Sequence, residues 1–212
     1  MKKCLITAGP TVEKIDPVRF ISNRSSGRMG YALAQAAREA GFAVTLISGP
    51  VHLEAPEGVR LISIESAAEM AAAAKSEFPD AALTVMAAAV ADYRPKTVAA
   101  NKIKKQPGDL RIELERTEDI LAALGNLKQP GQILVGFAAE TEDLLARAAG
   151  KMARKNLDWI AANTVSDGFG RPDNRITLLG KSGEKHELPR MDKLDAAREI
   201  IRLTVPPEFL KD

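Results

Sequence analysis

Ile21-Ser22-Asn23-Arg24-Ser25-Ser26-Gly27-Arg28-Met29-Gly30 lies one loop-length after an apolar run, Lys3-Cys4-Leu5-Ile6-Thr7-Ala8, that ends in Gly9-Pro10-Thr11. The same stretch runs directly into a helical pattern from Arg28 to Ala40. A strand, a loop rich in Ser, Asn and Gly, and then a helix N-terminus is how an α/β protein holds an anion. The backbone N–H groups and the positive end of the helix dipole converge on one spot. Two arginines and an asparagine beside it point to a phosphate ligand carrying a reactive group.

Outward from this stretch, apolar runs alternate with amphipathic ones. The pattern predicts strands at Lys3–Ala8, Ala43–Ser48, Arg60–Ile64, Ala82–Ala88, Ile133–Phe137 and Asp158–Ala162. It predicts helices at Arg28–Ala40, Ala67–Glu77, Glu118–Leu124, Glu142–Lys155 and Lys193–Leu203. Gly41 is the expected stop of the first helix, and Ser66 and Thr117 are expected N-caps. Nearly continuous apolar strands separated by helices predict a Rossmann-like, doubly wound α/β fold with a mostly parallel sheet covered on both faces. Arg175–Leu179 and Lys185–Leu188 flank Lys181-Ser182-Gly183-Glu184 and read as a small C-terminal β-hairpin extension, over about residues 174–189. The whole chain, 1–212, reads as a single domain, with a long irregular piece from Val90 to Asp109.

The balance of 30 basic and 28 acidic residues leaves a net charge of +2, so no nucleic-acid polyelectrolyte surface is expected, and 4% aromatics argue against base-stacking platforms. One cysteine, Cys4, excludes a disulfide framework and reads as a buried structural thiol. No stretch has the length of a membrane span and no signal peptide precedes the first strand, so a cytoplasmic location without membrane association is expected.

In a doubly wound sheet the ligand lies at the carboxyl ends of the strands. The unusual residues collect there: Gly9-Pro10-Thr11, Ser48-Gly49-Pro50, Ala89-Val90-Ala91-Asp92-Tyr93, Phe137-Ala138-Ala139-Glu140 and Asn163. A NAD(P)-dependent reductase is the pattern-level alternative. Against it, the first turn lacks a compact G-x-G-x-x-G, and the second strand ends without the acid that holds a ribose hydroxyl. A nucleotide-binding subunit without catalysis of its own is a further alternative. Lys102-Ile103-Lys104-Lys105 sits in the long loop, where it is either a solvated surface or a mobile strap, about 94–109, that folds over a triphosphate. Lys151 and Lys155 share one helix face, which is either an outer face or a second pair of cations on phosphates. Small Ala87, Ala88 and Ala89 allow close approach of a planar base, and Asp92 could accept from an exocyclic amine or simply close a turn. Asp119 faces the same choice between helix start and site. His52 and His186 lack ligand spacing.

Taken in order, these segments resemble bacterial phosphopantothenoylcysteine synthetases (phosphopantothenate–cysteine ligases). The resemblance rests on Ile6-Thr7-Ala8-Gly9-Pro10-Thr11, Asp16-Pro17-Val18-Arg19, Ile21 to Gly27, Ala88 to Arg94, Lys102-Ile103-Lys104-Lys105, Gly136 to Glu140 and Lys155-Asn156-Leu157-Asp158. It implies a ligase joining 4′-phosphopantothenate to L-cysteine through an acyl-cytidylate, using CTP with Mg²⁺ and releasing CMP and pyrophosphate. In this family the synthetase is commonly fused behind a flavin-dependent decarboxylase. The resemblance therefore implies no flavin in this chain and a decarboxylase as a possible separate partner. It further implies a homodimer, with the hairpin a candidate interface.

Carried over by position, Asn23 and Lys102 are the expected catalytic residues. Gly9, Ser25, Ser26, Gly27, Ala87 to Ala89, Asp92, Lys102, Glu118, Asp119, Ile120, Leu121, Phe137, Lys151 and Lys155 are expected to bind nucleotide. Asn23, Arg19, Ala89 and Lys104 are expected at the second substrate, and no protein ligand for the metal is assigned. Arg116-Thr117-Glu118-Asp119 departs from the family's usual Asn-Pro-Asp.

Overall fold

The computed structural model describes residues 1–105, 107–140, 144–164 and 173–210. Its elements run β1 (Lys3–Ala8), β2 (Glu13–Lys14), β3 (Phe20–Ile21), α1 (Arg28–Glu39), β4 (Ala43–Ser48), β5 (Arg60–Ser63), α2 (Ala67–Glu77), β6 (Ala81–Met86), β7 (Tyr93–Pro95) and β8 (Leu114–Arg116). They continue α3 (Ile120–Leu127), β9 (Ile133–Glu140), α4 (Leu144–Arg154), β10 (Trp159–Thr164), β11 (Asp173–Gly180), β12 (Lys185–Asp192) and α5 (Lys193–Thr204). The expected helix start at Glu142 lies outside the described residues.

The main sheet has eight strands in the order β12-β11-β10-β9-β6-β1-β4-β5. The six from β10 to β5 are parallel, and β11–β12 adds an antiparallel hairpin at one edge. Taken in chain order the six parallel strands follow the doubly wound 3-2-1-4-5-6 arrangement, so the direction of winding reverses between β1 and β6. The expected fold class is therefore observed, hairpin included.

Strand alternation builds two cores. Cys4, Ile6 and Ala8 face α1 and α5, where Leu33, Ala34, Ala37, Ala197 and Ile200 are buried. Leu5 and Ile47 face the other way, onto Met70 and Ala74 of α2 and Leu124 of α3. Gly30 lets α1 lie close on β1: a Cβ there would come 2.4 Å from the Ala8 Cβ. Burial pushes the Cys4 thiol well above its ordinary value, which matches a structural rather than nucleophilic role.

Three of the departures from expectation have identifiable reasons. β6 ends at Met86 because the next residues bond sideways to the loop after β1. Ala88 N–H donates to Thr7 Oγ1 (3.2 Å), Ala89 N–H to the Gly9 carbonyl (2.9 Å) and Ala91 N–H to Thr11 Oγ1 (3.0 Å). Thr117 does not cap α3. Its hydroxyl donates to the Ala91 carbonyl and its N–H to the Asp92 carbonyl, while Asp119 takes the cap by accepting from Ala122 N–H at 3.0 Å. The long irregular segment is also partly ordered: β7 and β8 pair antiparallel, with Arg94–Glu115 and Lys96–Glu113 ion pairs across them.

Candidate nucleotide site

A cavity of about 440 Å³ opens beyond the carboxyl ends of β6 and β9. Ala88 and Asp92 line one side, Ile120 and Leu121 the start of α3, and Phe137 the end of β9. Lys151 of α4 and Lys155, just past its end, line it as well, so these lysines face the site and not an outer surface. Lys151 Nζ donates to the Phe137 carbonyl at 2.6 Å, and Lys155 Nζ pairs with Asp119 at 2.7 Å. Partial burial raises the Asp119 carboxyl, and the Lys155 ammonium with the Ala122 N–H outweighs this, leaving it below the ordinary range. Glu118 also lines the cavity, but its carboxylate pairs with Lys75 of α2 at 2.5 Å. The cavity thus combines apolar side chains (Met86, Ala88, Val90, Leu121 and Phe137 among them) with the two lysines, a lining suited to a base and its phosphates.

The opening loop forms a second cradle beside it. Gly27 is the N-cap of α1 with φ 75°, and no side chain caps the helix, so its first-turn N–H groups remain available to an anion. Gly9 adopts φ 76° and abuts Gly49. Asn23 joins the two halves: its Nδ2 donates to the Ala89 carbonyl at 2.6 Å, and its Oδ1 accepts from Ser25 N–H at 3.0 Å. Ser25 Oγ in turn accepts from Gly27 N–H at 3.4 Å. Asn23, Ser25, Gly27, Gly9 and Ala89 are therefore contiguous, while Ala87 lies half-buried against the core and Ser26 is exposed.

The strap behaves otherwise. Lys102 and Lys104 are exposed and do not line the cavity. Their segment is docked along residues 15–19, with Ala99 N–H donating to the Ile15 carbonyl at 3.0 Å and Arg19 Nη2 to the Ile103 carbonyl at 2.8 Å. Closure of the strap over this chain's own cavity, one of the two sequence readings, is not the conformation observed. Arg19 is occupied here as an anchor. His186 packs against Trp159 in the hairpin, with ring centroids 6.1 Å apart, and His52 is exposed in the loop after β4.

Asp16 is the residue the sequence did not single out beyond its place in a motif. Its side chain is fully buried, and the Arg19 guanidinium beside it holds the carboxyl well below the ordinary carboxylate range. A depressed carboxylate stabilises the fold above its unfolded value, near pH 4, and that contribution is lost as pH falls below it toward the folded value. Urea midpoints should accordingly fall between about pH 4 and pH 2 more steeply in the wild type than in Asp16→Asn. Parallel pH slopes in the two proteins would show that Asp16 carries none of the acid sensitivity.

Relatives place this geometry in a family. The sequence matches the DNA/pantothenate metabolism flavoprotein C-terminal domain over residues 1–206. It is 52% identical over 205 residues to the coenzyme A biosynthesis bifunctional protein CoaBC of Bacillus subtilis, covering 95% of this chain and 50% of that protein. To the protein of the same name from Vibrio cholerae it is 48% identical over 207 residues, covering 95% of this chain and 52% of that one. The chain thus spans about half the length of the curated relatives it matches. The crystal structure of the C-terminal domain of a coenzyme A biosynthesis bifunctional protein CoaBC superposes with a TM-score of 0.82 at 44% identity, covering 95% of this chain and 93% of that one. No described helix is long and apolar enough to cross a membrane. With the switch-point cavity, the Asn23 loop and the residue match in agreement, the chain belongs to the DNA/pantothenate metabolism flavoprotein C-terminal domain family, and is similar throughout to the C-terminal region of CoaBC.

Proposed function

We propose that the chain is a phosphopantothenate–cysteine ligase of coenzyme A biosynthesis that activates its acid with CTP. The observation that carries this reading is the Asn23–Ala89 hydrogen bond, which sets an uncapped helix N-terminus directly beside a cavity holding two lysines. One site thus has places for two sets of phosphates with an amide donor between them.

A carboxylate is a poor acyl donor because its leaving group would be oxide. In the first step a carboxylate oxygen of 4′-phosphopantothenate attacks the α-phosphorus of CTP; the P–O bond to pyrophosphate breaks and an acyl-cytidylate forms. In the second, the amine of L-cysteine attacks the acyl carbon, losing a proton, and CMP departs with the C–O bond electrons. The chain supplies position and charge rather than a covalent intermediate. The base lies in the slot between Ala88 and Phe137 with Asp92 at its edge. Lys151 and Lys155 neutralise phosphate oxygens. Asn23 Nδ2 carries two hydrogens, one given to Ala89 and the other available to the acyl carbonyl.

Among the described residues no cluster of three or more His, Cys, Asp or Glu side chains forms a metal cage. Mg²⁺ would be held chiefly by the triphosphate oxygens and water, with one or two carboxylates as further ligands at most, and would supply charge neutralisation there. Lys102 and Lys104 belong to the strap that completes a site, Arg19 anchors that strap, and a homodimer would let it reach the partner's.

The reading is tested by pyrophosphate release from CTP and, separately, ATP in the presence of 4′-phosphopantothenate and cysteine. Release with CTP supports it; release with ATP alone changes the nucleotide; none with either removes the ligase. A narrower expectation concerns Lys155→Met, which deletes one charged hydrogen-bond donor worth about 1.5–3 kcal/mol, or roughly ten- to a hundredfold in KM for CTP. Initial rates across CTP concentration check this, and an unchanged KM would return Lys155 to a purely structural pair with Asp119.

A further inference from the structure

The Asp16 carboxylate is saturated with donors from two distant parts of the chain. Oδ1 accepts from the N–H groups of Val18 and Arg19, both at 2.8 Å, which closes a local turn over Pro17. Oδ2 accepts from Arg19 Nε at 3.0 Å and Nη2 at 2.5 Å, and from the N–H of Ile103 at 3.1 Å. Arg19 Nη2 also donates to the Ile103 carbonyl at 2.8 Å. The peptide groups on both sides of Ile103 are thus gripped by one ion pair, the acid taking its N–H and the base its C=O. With Ile15, Leu110 and Ile112, and with Thr97, Arg111 and Glu113 at its edge, Ile103 lines a cleft of about 160 Å³.

Register follows from this grip. Ile103 is half-buried, whereas Lys102 and Lys104 on either side of it are exposed. In extended backbone, residues one apart on each side of a tucked residue turn to the opposite face. A slip by one position would turn a lysine toward Ile15, Leu110 and Ile112 and Ile103 into water, both unfavourable. A buried carboxylate with so many donors is costly to assemble unless its geometry is held, and here what it holds is the one strap carrying the Lys-x-Lys-Lys run.

We propose that Asp16 is a positioning residue of the ligase: through Arg19 and the Ile103 peptide it latches the lysine strap in register, so that Lys102 and Lys104 stand exposed together, turned to nucleotide phosphates in a partner subunit's site rather than in this chain's own cavity. This rests on the ligase reading above, but the latch itself has a readout that does not. Asp16→Asn is the selective variant. Its amide oxygen can still serve the Val18 and Arg19 N–H groups, while its NH₂ would oppose the donors of Arg19 and Ile103.

In the full chain, Asp16→Asn should accelerate tryptic cleavage after Lys102, Lys104 and Lys105 by about tenfold or more, because cleavage follows the population of the opened segment. Cleavage elsewhere and the circular dichroism spectrum should stay as in the wild type. In pyrophosphate release the KM for CTP should rise at least about tenfold, with kcat falling much less, as expected when a binding contact shared by ground and transition states is lost. Unchanged strap cleavage overturns the latch, as does acceleration spread evenly over the chain. A released strap with unchanged KM for CTP overturns its link to nucleotide. Should Asp16→Asn fail to fold, Ile103→Pro, which removes the strap's N–H donor to Asp16 together with the Ile103 side chain, must accelerate cleavage after Lys104 and Lys105 (the Lys102–Pro bond itself resists trypsin) and raise KM for CTP, or the proposal falls. No pyrophosphate release from the wild type would sink the ligase reading and the nucleotide role with it, while strap cleavage would still decide the latch.

Discussion

Gly49→Ala should lower the melting temperature by roughly 8–16 °C, or prevent soluble expression altogether. A Cβ on Gly49 would sit 1.7 Å from the Pro10 carbonyl oxygen and 2.8 Å from its carbon. Both are backbone atoms, so no rotamer relieves the overlap; one of two crossing chains must move. Gly49 N–H is bonded to the Ala8 carbonyl at 3.0 Å, and Pro10 is bridged to Ala89, so movement on either side disturbs the first turn and the segment after β6 together. Overpacking typically costs about 1–3 kcal/mol where side chains can adjust; a rigid backbone clash belongs above about 4 kcal/mol, a large part of a domain's total. At about 2–4 °C per kcal/mol for a chain of this size, the quoted shift follows. Gly108→Ala is the comparison: unlike Gly49 it has a positive φ, at 90°, but nothing lies within 4 Å of the added Cβ, so backbone strain of about 1–3 kcal/mol acts there without a clash. Calorimetry of both variants checks the pair, and a Gly49→Ala protein melting within 2 °C of wild type would mean the crossing is looser than described.

That crossing also marks how far sequence reasoning reached. Local signals transferred well. β1, β4 and α2 have the bounds their apolar patterns predict, and Ser66 caps α2 as a Ser three residues before Glu69 should. What the sequence could not show was direction and long-range pairing. Lys151 and Lys155 are visibly on one face of a helix, but only the packing of α4 on β9 decides that the face looks into the cavity. Thr117 and Asp119 are both capable N-caps within three residues; the bonds from Thr117 to Ala91 and Asp92 took the threonine out of the competition. Asp16 and Ile103 are 87 positions apart, so no periodicity links them. The Asp-Pro-x-Arg spacing was the one local clue, since it pre-forms an acid and a base three residues apart that can then act as a unit.

Asn23→Ala should leave acyl-cytidylate formation nearly intact and slow its conversion to product by about a hundred- to a thousandfold, the range seen when one preorganised donor to a developing oxyanion is removed. Activation depends on the cavity and its lysines, which Asn23 does not touch; acyl transfer depends on polarising a carbonyl at the junction of the two cradles, where Asn23 sits. Two roles for the side chain are separable. If its Oδ1 matters only for the turn onto Ser25 N–H, then Asn23→Asp, which keeps that acceptor, restores activity. If its Nδ2 is what acts, Asn23→Asp fails at least as badly as alanine, because the donor is gone and a carboxylate now faces both the Ala89 carbonyl and a phosphorylated intermediate. The second result is expected. Single-turnover reactions with radiolabelled CTP, quenched before and after cysteine is added, distinguish the cases: the variants should accumulate acyl-cytidylate that persists in the presence of cysteine. Failure of Asn23→Ala to release pyrophosphate at all would place the residue in activation instead, and would imply that the loop and the cavity act on the same phosphate rather than on opposite ends of the acyl-nucleotide.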